Sequence, residues 1–472
     1  MTAVYDTLVA GGRAVLPGQG VVECDIAISD GRIAALLAPG AGGGAGAGRS
    51  AAEKIDARGL VAFPGVVDPH AHFGLGSPDD WRTESRAAAH GGVTTVLNYI
   101  QSTDSYAVAA PAEQARAEAQ SVVDFAIHPI LMNELHLAEV DLYVRDHDLL
   151  SFKYFSNFKG DEGKYLGVEG TDSGFFYALC RAVARHPEAV LAVHPENIEV
   201  VWRLAREIRA TGRDELSAWT DSRPDFVEAH DMFTAFLFAQ QTGCRIYIPH
   251  LSAACGLDVY RRFGAGLPGV YVETCPHYLL LDKDSPLGSL AKVNPPVRTA
   301  ADAEALWGAI AAGEIVSVGS DHIAREQARK LGSIWTASAG FPGNTTILPA
   351  LLSEGHFKRG LPLETIAAVT ATNPARIFGL GGRKGELAVG CDADLALVDL
   401  EAVRIVDSAR FESNAGYSVY DGRELRGWPV LTLVRGTTVM REGEIVAAAG
   451  HGRIVPRGAK ARAAAAEAGA RV

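Results

Sequence analysis

Between about residue 60 and residue 380, a short apolar run alternates with a helical stretch eight times over. The runs are "LVAFPGVVDPHAH", "VTTVLNYI", "VDFAIHPILM", "LLSFKYFS", "AVLAVHPE", "RIYIPHLS", "VYVETCPH" and "IVSVGSDH". Among the stretches between them are "TESRAAAHGG", "PAEQARAEAQ", "EVVWRLAREIRA" and "AADAEALWGAIAAG". Repeated strand–helix units of this kind predict an α/β fold, a (β/α)8 TIM-like barrel with parallel strands inside and helices outside. Such barrels carry their chemistry at the C-terminal ends of the strands.

The two ends of the chain have a different texture. "YDTLVAGGRAV", "ECDIAISDGRIAALL" and "KIDARGLVAF" near the start, with "ADLALVDLE" and "VLTLVRGTTVMREGEIVAA" near the end, are β-like runs split by Gly or Asp-Gly, as in hairpins. Residues 1–57 and 382–472 are expected to form one small discontinuous β-sandwich domain, and 58–381 the barrel. "APGAGGGAGAGRS" (38–50) reads as a mobile loop, and the tail "AKARAAAAEAGARV" as a short or frayed helix.

Bulk properties remove several function classes. A formal charge of -12, without a Lys/Arg-rich run, argues against nucleic-acid binding. No apolar stretch is long enough for a membrane span, and "MTAVYDTLVAGGRAV" lacks the order of a signal peptide. Six cysteines without CxxC spacing read as reduced thiols, so a cytoplasmic protein is expected.

The strand-end rule makes a demand that the residues meet. The first run ends in His70 and His72, the fourth holds Lys153, the fifth and sixth end in His194 and His250, and the eighth reaches Asp321. His70 and His72 are two apart, so an extended strand turns both imidazoles to one face, where they can share an ion. A lone strand-end histidine is more often structural; four, with an aspartate, on separate strands point to a metal centre. His128, His277 and His322 also lie near strand ends and are given no ligand role; for His277 and His322, substrate or supporting contacts are open. Lys153 is the anomaly. In the apolar run "SFKYF" a buried ammonium is costly unless paired or neutralised. Either its head reaches water or the site uses a lysine that is no longer an ammonium.

"GVVDPHAHF", "SFKYF", "VHPEN", "ETCPHYLLLD", "KVNPPVR", "VGSDH" and "NPARIFGL" occur in the order found in the cyclic amidohydrolases, which the chain resembles over nearly its whole length. That group holds dihydropyrimidinases, hydantoinases, allantoinases and dihydroorotases. "RKGELAVGCDADLALVDL" and "GRELRGWPVLTLVRG" resemble its closing β-domain. The resemblance implies that Lys153 is carbamylated by CO2 to N6-carboxylysine and bridges two divalent ions, with zinc the default and manganese or cobalt alternatives. It places His70, His72, Lys153 and Asp321 on one ion, and Lys153, His194 and His250 on the other. It also implies a bridging hydroxide that attacks a ring amide carbonyl, with Asp321 passing a proton to the leaving nitrogen. Glu273 in "VETC" is the main rival carboxylate for that task, although its neighbours read as supporting or structural positions. A homotetramer is implied in the same way.

Departures bear on which small cyclic amide or ureide is the substrate. Gly74 stands where dihydroorotases carry a carboxylate-gripping arginine, and Phe158 where hydantoinases carry a tyrosine. Ser338 and Ala339 precede "GFPG", where an asparagine is usual before the turn. Asn294 in "KVNPPVR" is a candidate reader of a ring –NH–CO– unit, or a turn former before Pro-Pro. Phe73, Leu75 and Trp81 in "FGLGSPDDW" are expected to meet the ring substituent, unless they simply pack the loop. The expectation is a hydantoinase-like hydrolase; the alternatives are an allantoinase, a dihydroorotase-like or other cyclic imide or lactam hydrolase, and remotely a non-catalytic scaffold.

Overall fold

A computed structural model describes residues 4–40, 50–165 and 170–458. The expectations for a mobile glycine-rich loop (its residues 41–49) and for the tail 459–472 lie outside the described residues. Eight parallel strands form the barrel: β1 (Val66–Ala71), β2 (Val93–Ile100), β3 (Asp124–Pro129), β4 (Ser151–Phe155), β5 (Val190–His194), β6 (Ile246–Ile248), β7 (Val270–Thr274) and β8 (Ser317–Val318). Continuous ladders join β1 to β3 and β4 to β8. Two single bridges close the ring, Ile130 with Lys153 and Ala71 with His322. Both seams lie at the mouth, among the residues picked out by chemistry.

Local signals explain the flanking helices. Asn197 caps Ile198–Ala210, accepting from the Val200 N–H, and Thr299 with Asp302 builds a reciprocal capping box at Ala300–Ala311. Leu306, Trp307 and Ile310 of the second join a core that includes Trp81, Phe125, Phe152, Leu191 and Val272, whereas Ile198 and Val201 of the first pack in a small cluster with Val227. No helix among the described residues is long and apolar enough to cross a membrane.

The run read as one first strand is two. Val61–Pro64 belongs to a seven-stranded sheet, and after Gly65 the chain enters the barrel as β1. In that sheet Val61–Pro64 pairs antiparallel with Val398–Leu395, which sews the two chain ends together. A four-stranded sheet of Val4–Ala10, Asp25–Ser29, Arg32–Leu37 and Ser50–Asp56 packs against it through Val9, Ile26, Ile28, Leu395, Leu397 and Leu433. Apolar alternation alone cannot show where a strand changes sheets.

The last described residues leave the sandwich. The Phe125 N–H donates to Arg453 O at 3.0 Å and the Val455 N–H to Phe125 O at 2.8 Å, so the chain lies beside β3. Nearby, the buried Lys384 ammonium contacts Asp124, Asp394 and Asp392 at 2.6, 2.7 and 3.0 Å. Asp124 opens β3, which places this cluster at the end of the barrel opposite the mouth.

Candidate active site and metal centre

His70 and His72 meet Asp321 across the closing seam. Their Nε2 atoms lie 3.0 and 3.4 Å from Asp321 Oδ1. The ligand atoms of these three residues all fall within 4.8 Å of one another. His194 Nδ1 and His250 Nε2 are 2.9 Å apart on the adjoining side. Between the groups rises Lys153, fully buried, its Nζ without a hydrogen-bond partner and 4.7 Å and 4.9 Å from the Tyr99 and Phe155 ring centroids. Register explains the layering: Lys153 pairs with Ala192 and Phe155 with His194, so the amine starts one inward position below the histidine.

Glu273, on β7, orients this set. It is fully buried, accepts from the Tyr247 hydroxyl at 2.7 Å and the His250 N–H at 3.0 Å, and lies 2.8 Å from His70 Nδ1. A proton on Nδ1 leaves His70 Nε2 as the ligating nitrogen. Sequence reading kept Glu273 as a rival proton carrier in a supporting or structural setting; its contacts agree with the supporting role. His70, Glu273 and Cys275 also satisfy a metal-type spacing. Those three do not suit an ion, because Glu273 is already engaged and burial, then Glu273 itself, pushes the Cys275 thiol well above its ordinary pKa. Gly319 explains part of "VGSD": a Cβ there would sit 2.5 Å from Glu273 Oε2 and 2.9 Å from His70 Cβ. Replacing Glu273 by glutamine should weaken metal binding by about 10–100-fold without unfolding the barrel, measured by competition with a chelator.

Electrostatics suit ligands rather than ion pairs. Burial lowers the pKa of His72 to about 4 and that of His250 well below the usual range, favouring neutral, ligating imidazoles. Burial raises the Asp321 pKa, but His70, His72 and His250 outweigh it and hold the carboxylate well below its ordinary value. Burial brings Lys153 down to about 8, against the pull of Asp321 and Glu273. Its free-amine fraction at neutral pH is therefore greater than an ordinary lysine's by roughly two orders of magnitude. His250 and Asp321 also take left-handed backbone, φ 45° and 50°, which costs on the order of 1 kcal/mol or more each.

A cavity of about 560 Å³ opens above these groups. One wall is apolar, with Leu75, Ile130, Phe155 and Phe158, the last two stacked 4.0 Å apart. The other carries Asn294, Ser338, Ala339 and Gly340, with Arg325 and Arg329. All four residues named for substrate contact line it. Gln101, Asn157, Ile130, Arg325 and Arg329 were missed; Gln101 follows the end of β2, where the strand-end rule could have found it.

Contacts correct one expectation and decide others that the sequence left open. Phe73 and Trp81 do not meet the cavity; they pack edge to face in the core at 5.2 Å, and only Leu75 of that loop lines the mouth. The loop folds around Asp80 Oδ2, which accepts the Gly74, Gly76 and Ser77 N–H groups. Gly74 has φ 86°, a backbone conformation in which an arginine side chain would be strained. His322 turns away to Glu84 at 3.0 Å, and His128 is buried against Tyr99 and Phe378.

Known proteins are similar to this chain in sequence and in fold. The profile of the amidohydrolase family matches residues 292–439. The chain is 36% identical to an allantoinase of Solibacter usitatus, across 96% of this chain and 97% of that one. It is 31% identical to an L-hydantoinase of Paenarthrobacter aurescens, across 96% and 98%. The structure superposes on a dihydropyrimidinase from Brevibacillus agri with a TM-score of 0.87 and 26% identity, covering 96% of this chain and 98% of that one.

Proposed function

The chain belongs to the amidohydrolase family and is a hydrolase of cyclic amides, and on that premise we propose that it opens hydantoin-type rings at a centre of two divalent ions. His70, His72 and Asp321 would hold one ion, His194 and His250 the other, and Lys153, as its carbamate, both. The observation that carries this is the Lys153 Nζ: fully buried, between two sets of ligands, and without any hydrogen bond. As an ammonium it is unsatisfied; as a carbamate it brings two oxygens to two cations. Zinc suits the imidazole-rich donor set. When bound, the ions supply Lewis acidity that lowers the pKa of water and polarises the amide carbonyl.

This chain's own residues do the rest. Asp321 takes the proton of the attacking water and hands it to the ring nitrogen, because an amide anion leaves poorly unless protonated. Asn294 faces the cavity with a buried, unpartnered Oδ1, placed to accept a ring N–H. Ala339 lines the cavity, and its N–H and C=O bond to nothing among the described residues. A donor and an acceptor side by side suit a ring –CO–NH– unit. Phe155 and Phe158 form the wall for the ring's apolar face, and Phe158 leaves the carbonyl without the hydroxyl donor of hydantoinases.

That missing donor, with Gln101 and Arg325 along the cavity, favours one second reading: a ring with a polar ureido arm, as in allantoin. A ring-opening screen of metal-loaded protein on dihydrouracil, 5-substituted hydantoins, allantoin, dihydroorotate and succinimide separates the two. Fastest turnover of a neutral hydantoin supports the first, and of allantoin the second; no opening of any ring rejects both. Asp321→Asn should lower kcat by about 10²–10⁴-fold on whichever ring is opened. The protein is taken to work in the cytoplasm as a homotetramer, with residues 1–57 and 382–472 as the accessory domain and 58–381 as the barrel; light scattering tests the assembly.

A further inference from the structure

Lys330 lies in the segment after β8, where Glu326 to Arg329 and Leu331 are exposed, yet it is itself fully buried. No carboxylate accompanies it among the described ion pairs. Its Nζ donates instead to three main-chain carbonyls, those of Lys292, Ser338 and Gly340, each at 2.8 Å. Three acceptors around one nitrogen call for an ammonium, since a neutral amine has two N–H groups. Burial, then the nearby Lys292 and Arg325 cations, pulls the pKa down to about 6; hydrogen bonds to three carbonyls favour the charged form.

The bonded carbonyls belong to the two segments that grip the substrate in the reading above. Lys292 is two residues before Asn294, and Ser338 and Gly340 flank Ala339. A second buried lysine ties the same segments: Lys292 Nζ donates to Ala337 O at 2.6 Å and lies 3.9 Å from the Trp219 ring centroid. The Gly340 N–H returns to Lys292 O at 2.9 Å, and the Ser338 N–H is held by Arg329 O at 2.9 Å. Of the carbonyls from 337 to 340, only that of Ala339 has no partner among the described residues, and Ala339 lines the cavity. The lysines draw its neighbours outward and leave that one peptide exposed to a ligand.

We propose that Lys330, braced by Lys292, is a positioning residue for substrate: it fixes the Ala339 peptide opposite Asn294 so that both meet one ring amide. This rests on the reading of the cavity as a ring-amide site. It touches neither the metal ligands nor Asp321, so its effect belongs to binding rather than to the chemical step.

The test compares metal-loaded parent and Lys330→Met enzyme, an apolar side chain of similar length. The kinetic probe is whichever of dihydrouracil, 5-methylhydantoin and allantoin the parent opens fastest. Expected are a KM raised by about tenfold or more, a kcat within about threefold of the parent, and unchanged metal content. Amide hydrogen exchange, without substrate, should quicken at Ser338 and Gly340 while the barrel strands stay protected. A parental KM with parental exchange in this segment overturns the proposal. If Lys330→Met does not fold, Lys292→Met decides: a raised KM supports the brace, a parental KM rejects it. If the parent opens no ring, the cavity reading fails, and the exchange arm still judges whether Lys330 holds the segment.

Discussion

Lys153→Ala should give a folded protein that opens no ring at a measurable rate and purifies with less metal than the parent. The side chain makes no hydrogen bond to the fold, while its carbonyl accepts from Leu131 N–H at 2.8 Å, a bond the substitution leaves intact. Stability is therefore little changed; the loss is chemical. Without a bridging carboxylate, His70, His72 and Asp321 on one side and His194 and His250 on the other must bind cations with no shared anion between them. The two ions would repel across a gap with low dielectric screening. A fall in kcat/KM of about 10³-fold or more, equivalent to about 4 kcal/mol of lost transition-state stabilisation, is expected. Metal per chain by mass spectrometry, circular dichroism and ring-opening rates measure the three parts. Short carboxylic acids such as acetate should restore some rate by standing in for the carbamate. An active variant with a full metal complement would rule out the bridging role.

That prediction was legible in the sequence because one strand breaks its own pattern. A lysine inside "SFKYF" either reaches water or serves a site, and the (β/α)8 rhythm fixes which end of the strand it approaches. The histidines were legible for the same reason: each occupies a strand end, and the barrel brings strand ends together regardless of their separation in the chain. What that rhythm cannot convey is which side chains meet between strands. Glu273 orients His70 from 203 residues away; its neighbours in "VETC" point to a supporting role but not to the side chain it supports. The run 60–72 reads as one strand because both halves are apolar; only the partners, Leu395–Val398 for one half and β2 for the other, divide it. Phe73 and Trp81 look like a lid because they follow the HxH pair. Three backbone amides closing on Asp80 turn the loop, and its aromatics, inward. Lys330 was invisible for a different reason: its partners are carbonyls, which carry no sequence signature.

Lys384 poses the complementary case, a lysine whose loss should leave the chemistry alone and the fold in difficulty. Its ammonium is fully buried among three carboxylates, those of Asp124, Asp392 and Asp394, each at 3.0 Å or less. Arg435 also pairs with Asp124 and Arg383 with Asp392, so each of those keeps a cation if Lys384 is removed. Asp394 does not: its Oδ1 keeps the Arg435 N–H at 2.8 Å, but Oδ2 loses its 2.7 Å partner. An uncompensated buried carboxylate costs about 3–5 kcal/mol. For a chain of 472 residues Lys384→Met should lower Tm by roughly 3–5 °C. Because the cluster joins Asp124 at the start of β3 to the segment 384–394, thermal unfolding should begin at the seam between sandwich and barrel. The folded fraction should keep parental kcat and metal content, since the mouth lies at the opposite strand ends. Adding Asp394→Asn to Lys384→Met removes the stranded charge and should recover part of the lost Tm. If Lys384→Met melts within about 2 °C of the parent, the penalty has been relieved by water reaching the seam, and the cluster contributes specificity of pairing rather than stability.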